Sequence, residues 1–293
     1  MRSYARRQDG NVERARSQGC EAQIDARLRR RRFERSGGIR YRQSTWHNAR
    51  EVTTTAEKKR APFPIEFYRS AIGKKWVMAV TGLGIIGFAL AHMVGNLKMF
   101  LPDIDGEPDI DVYGEALRSL FTPIFPEHVF LWILRTGLII FFALHVHAAY
   151  SLTVMNRRAR IEGYEGPRTY LAANYASRTM RWSGTIFLAF LAFHLADFTW
   201  GIQPAAPDAW ARGEVFANFV ETFNRPAVTT LYVVAMALLG IHLYHGVWSM
   251  FQSLGINHPR FNAWRRFLAY GLSAIITIGF ISPPLAVAFG FLG

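Results

Sequence analysis

Cysteine is almost missing from this chain, with Cys20 the only one in 293 residues. One thiol cannot close an internal disulfide or hold an iron–sulfur cluster, which needs several thiolates. Residues 1–60 lack the apolar stretch of a secretory signal. A nucleotide-binding setting is missing too. The run Gly82-Leu-Gly84-Ile-Ile-Gly87 fits G-x-G-x-x-G but lies inside an apolar span with no strand before it, so the fingerprint's context fails. The chain therefore has no flavin or nicotinamide domain of its own, and electrons for any redox chemistry come from a partner.

The net charge is +13, a balance that would suggest nucleic acid in a soluble protein. Its distribution argues against that. Residues 1–60 hold 17 of the 34 Lys and Arg, including Arg29-Arg30-Arg31-Arg32, together with seven Asp and Glu. We read 1–60 as a disordered cytoplasmic tail or a start placed too far upstream, with targeting or anionic-lipid binding as the other readings. Residues 61–293 form the remaining domain, and no nucleic-acid partner is expected.

What the chain has is long hydrophobic runs, in a composition 51% hydrophobic and 14% aromatic. Five runs, roughly Trp76–Leu97, Val129–Met155, Trp182–Trp200, Ala227–Met250 and Phe267–Leu292, are long enough to cross a bilayer, which takes about 20 residues. None alternates like a strand, so the fold class is all-α, a polytopic membrane bundle of five helices. The linker Asn156–Arg181 carries Arg157, Arg158, Arg160, Arg168, Arg178 and Arg181, and the linker before the last span carries Arg260, Arg265 and Arg266. The linker Pro102–Glu127 carries Asp103, Asp105, Glu107, Asp109, Asp111, Glu115 and Glu127 against Arg118 alone. Basic loops stay on the cytoplasmic side, which predicts an N-terminus inside and a C-terminus outside.

Ionisable side chains inside a bilayer are expensive and point to function. Here four spans each contribute a histidine: His92, His147, His194 and His242. With a rise of about 1.5 Å per residue, His92 and His194 lie about 24 and about 20 Å from the inner face. His147 and His242 lie about 27 and about 22 Å from the outer face. Two ligands thus sit at each of two levels, the arrangement that stacks two bis-histidine haems through a membrane. The glycines of the first span would let a neighbouring helix or a flat macrocycle approach closely. His145 and His147 are about 200° apart around their helix and cannot both face one ligand. His242 and His245 share a face, so spacing does not choose between them.

From about Phe67 to the C-terminus the chain resembles the cytochrome b membrane anchor of succinate dehydrogenase, in its single-subunit, five-helix, di-haem bacterial form. The segments that carry the resemblance are Ala91-His92-Met93-Val94, His147-Ala148-Ala149-Tyr150, Phe193-His194-Leu195, and His242-Leu-Tyr-His-Gly246-Val-Trp248-Ser249 followed by Leu254-Gly255-Ile256. The resemblance selects His242 over His245 and His147 over His145. It implies two haem b groups, an outer one on His92 and His194 and an inner one on His147 and His242. It also implies flavoprotein and iron–sulfur partner subunits, menaquinone as electron acceptor, and a place in the bacterial cytoplasmic membrane linking the tricarboxylic acid cycle to the respiratory chain. Related fumarate reductases carry a glutamate two residues before the fourth-span ligand. Gly240 stands there in this chain, which leans towards succinate oxidation.

Quinone or haem-propionate candidates are polar or aromatic residues near a histidine level. Asp197, Trp200 and Arg135 serve the outer side, and Tyr150, Arg178 and Trp182 the inner side. The rival readings are a haem b anchor of a hydrogenase or formate dehydrogenase and a His/Asp proton-relay transporter. The transporter reading lacks an inverted repeat or paired broken helices. Deleting residues 1–55 should leave membrane insertion and haem content unchanged, because the tail supplies neither apolar surface nor ligand. Quantifying haem in membranes carrying the truncated chain checks this, and loss of both haems would make the tail structural.

Overall fold

An apolar span has no water to satisfy its backbone, so it closes its hydrogen bonds on itself as a helix. A computed structural model describes residues 62–159, 175–256 and 258–293, with 175–179 in backbone only, and all lie in one unit, Arg60–Gly293. The tail read as disordered lies outside the described residues. The short α1 (Phe63–Arg69) leads into α2 (Ala71–Asn96). Then come α3 (Asp109–Arg118), α4 (Val129–Arg158), and α5 (Tyr175–His194), which runs on as a π turn, Leu195–Trp200. The last three are α6 (Val215–Phe223), α7 (Pro226–Ser253) and α8 (Asn262–Ala288). Among the described residues, five helical stretches are long and apolar enough to cross a membrane: Ala71–Phe100, Val129–Arg158, Met180–Trp200, Pro226–Ser253 and Pro259–Ala288. The chain is an all-α, multi-pass helical bundle.

The fifth stretch begins at Pro259 rather than near Phe267. The expectation stopped at the arginines, but Arg265 is buried within the helical packing. Its guanidinium donates to the Ile256 carbonyl at 2.7 Å and to Asn262, and lies 4.9 Å over the Trp248 ring. At the other end α8 stops at Ala288, where Gly290 takes φ +74° and the Phe291 N–H turns back to the Ala286 carbonyl at 2.8 Å. Inside α8, Pro283 has no N–H to give the Gly279 carbonyl, and the Ser282 hydroxyl donates to it instead at 3.2 Å.

The helix α2 packs against α4, α7 and α8; α7 packs on α8, and α5 on α7. Neither α2 with α5 nor α4 with α7 is among the closely packed pairs. The tightest core gathers Met93, Phe190, Phe223, Tyr232, Leu239 and Ile276 towards the end of the bundle that carries α3 and α6. Large apolar side chains such as Ile139, Ile140, Ile275 and Ile278 point outward. A lipid-facing surface tolerates this exposure, whereas water would not. The opposite end carries α1, Arg157, Arg158 and the start of α8, and is called the basic end below.

At the α3 end, α6 has no side-chain cap of its own. The Asp111 carboxylate supplies it from α3, accepting the Val215 N–H at 2.6 Å and the Phe216 N–H at 3.0 Å. An acid at a helix N-terminus also meets the positive end of its dipole. Asp111→Ala should therefore cost about 1 kcal/mol. Amide hydrogen exchange over 215–223 should speed up while α2 stays protected, and unchanged exchange would show that the cap contributes nothing.

Candidate functional site

Two buried hydroxyls, Thr81 and Ser183, stand where a helix receives a histidine from its neighbour. At the basic end, Thr81 and Gly82 of α2 face His145 of α4. The His145 Nδ1 lies 3.1 Å from the Met78 carbonyl and 3.3 Å from the Thr81 hydroxyl. A carbonyl only accepts, so Nδ1 carries the proton and donates it, which leaves Nε2 with a free lone pair. A side chain at Gly82 would meet the His145 ring at 3.3 Å, so glycine admits the imidazole.

The same device recurs one helix pair along. Ser183 donates to the Met180 carbonyl at 3.1 Å and offers its oxygen to the His242 Nδ1 at 3.4 Å. Gly184 makes room for the His242 ring, which a Cβ would meet at 3.2 Å. His242 also has an unprotonated Nε2 in this arrangement. The helices that carry His145 and His242, α4 and α7, do not pack closely on each other.

Towards the α3 end, His92 of α2 and His194 of α5 bring their ring centroids to 6.0 Å at an interplanar angle of 74°. His92 is held by stacking on Phe88 at 5.4 Å and by Phe280 at 5.8 Å. The His194 Nδ1 lies 3.3 Å from the Tyr232 hydroxyl, which donates to Asp197 Oδ2 at 2.8 Å. The tyrosine oxygen therefore accepts from His194 Nδ1–H, and Nε2 is again unprotonated.

Of the four histidines expected to pair, His92 and His194 are brought ring to ring, and His145 rather than His147 is turned towards α2. The sequence reading gave His147 the inner role. His147 is exposed, its Nδ1 engaged by the Tyr68 hydroxyl of α1 and its Nε2 3.5 Å from Ser151, so it faces away from the partner helix. The side chain brought towards α2 is His145. His245, on the face of His242, has its Nε2 occupied by Ser249 at 2.9 Å.

A sequence signal for His145 exists. Met78-x-x-Thr81-Gly82 precedes His92 by the same spacing as Met180-x-x-Ser183-Gly184 precedes His194. The hydroxyl and glycine of each repeat receive a histidine from the next long helix. The glycine-rich run of α2 is thus resolved residue by residue. Gly82 admits His145, and Gly84 admits the Phe141 ring, which a Cβ would meet at 2.3 Å. Gly87 has open space beside it.

The remaining candidates do not converge on the pairs. Arg135 is exposed and lies 5.3 Å over Trp132. Trp200, Tyr150 and Trp182 point outward. The side chain of Arg178 lies outside the described residues. Asp197 does meet the outer pair through Tyr232, yet it is 0% exposed and accepts from Thr222 and Arg225, so it presents no free edge to a ligand.

Among the described residues no three His, Cys, Asp or Glu converge, so each pair offers a metal two ligands and no more. A metal on such a pair would take its remaining donors from outside these side chains, as a haem macrocycle would supply them. The His92 and His194 rings meet at 6.0 Å from helices that do not pack closely on each other, a donor pair that would fit a haem iron. Comparison with known protein families, curated proteins and solved structures finds no match for this chain.

Proposed function

We propose that this chain is a di-haem cytochrome b that anchors succinate dehydrogenase in the bacterial cytoplasmic membrane and carries electrons from its iron–sulfur subunit to menaquinone. The observation that carries this reading is the pair of histidine levels, with His145, His242 and His194 each giving away Nδ1–H and keeping Nε2 for a metal. His92 and His194 hold the outer haem, and His145 with His242 the inner one. Haem ligated by histidine on both faces supplies one-electron transfer and leaves iron no position for oxygen.

The protein's own residues do the rest. Thr81, Ser183 and the Met78 carbonyl fix the imidazole tautomers, and Gly82 and Gly184 let the rings seat. The basic loops make the His145 end the cytoplasmic one, where flavoprotein and iron–sulfur subunits dock. The glutamate of related fumarate reductases has no room here. A Cβ on Gly240 would meet the Thr277 hydroxyl of α8 at 2.4 Å, which favours succinate oxidation.

Single substitutions test the assignment in the purified membrane complex. His145→Ala and His242→Ala should each retain one haem of two and disturb docking of the partner subunits. His92→Ala and His194→Ala should retain only the other haem. His147→Ala and His245→Ala should keep both. Two haems in His145→Ala, with one in His147→Ala, would return the inner site to His147. Two haems in every variant would remove the reading.

A further inference from the structure

The two histidine levels are supported unequally. At the inner level the imidazoles donate to neutral groups, the Met78 carbonyl and the Ser183 hydroxyl. At the outer level His194 donates to a hydroxyl that is itself bonded to a fully buried carboxylate. Asp197 receives three donors: Tyr232 Oη at 2.8 Å, Thr222 Oγ1 at 3.1 Å and Arg225 Nη2 at 3.4 Å. Of the three only the Arg225 guanidinium cannot accept a proton, and its ion pair with Oδ1 suits the ionised acid. Arg225 is pinned in turn, donating to the Ala205 carbonyl at 2.7 Å and the Pro204 carbonyl at 3.3 Å. The π turn Leu195–Trp200 is the local irregularity that carries Asp197 directly after His194.

We propose that Asp197 and Tyr232 are positioning residues that polarise His194 and set the reduction potential of the outer haem apart from that of the inner one. This rests on the di-haem reading above. Negative charge on Asp197 draws the Tyr232 proton towards it, which makes the tyrosine oxygen a stronger acceptor for His194 Nδ1–H. The imidazole becomes a better electron donor through Nε2, and such a ligand stabilises ferric over ferrous iron. The donors Thr222 and Arg225 work against this by spreading the carboxylate's charge. Removing a link of the relay and removing a competitor of the relay should therefore move the potential in opposite directions.

Potentiometric titration of the b-type absorption in the purified full-length complex reads this out. The component missing from His92→Ala identifies the outer haem. Tyr232→Phe should favour ferrous iron at that haem by about tenfold, a rise of about 59 mV for one electron. Thr222→Val should move the same component down, and the inner component should stay in place in both. If Tyr232→Phe fails to hold the outer haem, Asp197→Asn, which retains an acceptor for the tyrosine, should give the rise. An unchanged outer potential with both haems present, or shifts of the same sign in Tyr232→Phe and Thr222→Val, would overturn the relay. A haem-free wild-type complex would instead overturn the cytochrome reading beneath it.

Discussion

An imidazole N–H inside an apolar bundle must be given to an acceptor, and this constraint organises the protein around its histidines. A buried donor without a partner costs about 1–3 kcal/mol. In this chain the acceptors come from a neighbouring helix: the Met78 carbonyl, the Ser183 hydroxyl and the Tyr232 hydroxyl. Satisfying Nδ1 in this way fixes the tautomer and frees Nε2. The same bonds therefore tie α2 to α4 and α5 to α7 while leaving Nε2 of each ring able to accept a bond. Structure and candidate chemistry rest on one set of contacts.

The helix pairs repeat this solution. In each, a hydroxyl and a glycine on the first helix receive a ring from the second, and a histidine further along the first helix faces the other pair's level. Glycine matters here for the room it leaves, at Gly82, Gly84 and Gly184, where a methyl would meet an aromatic or imidazole ring. The outer level departs from the repeat by recruiting Tyr232 and the buried Asp197, held by Arg225. A charged group so deep requires its donors, and the loop 201–214 is folded partly around supplying them through Arg225.

Much of this was legible in the sequence. Five apolar runs foretold five long helices, because a bilayer demands both length and helical hydrogen bonding. The meeting of His92 with His194 was legible from depth, since rise per residue converts position to height. His145 was not, because depth cannot tell apart two residues on opposite faces of one helix. The Ala-Ala-Tyr context pointed to His147, yet Ala148 is buried against α2's side of the bundle and Tyr150 faces outward. The hydroxyl–glycine repeat in the facing helices carried the missing information. The start of the last span was hidden for a related reason. Arg265 read as a loop charge, but its guanidinium donates to the Ile256 carbonyl and to Asn262 and lies over the Trp248 ring, so the helix absorbs it. Asp197 was placed on the correct face, while its burial depended on Thr222 and Arg225, which lie 25 and 28 residues away in sequence.

Low-temperature electron paramagnetic resonance of the oxidised full-length protein in its native membrane complex addresses the central claim most directly, when combined with haem quantification on the same sample. The proposed pairs, His92 with His194 and His145 with His242, predict two haems per chain, both six-coordinate and low-spin ferric. A chain without haem, or one whose haem is high-spin with an open axial position, would contradict the account.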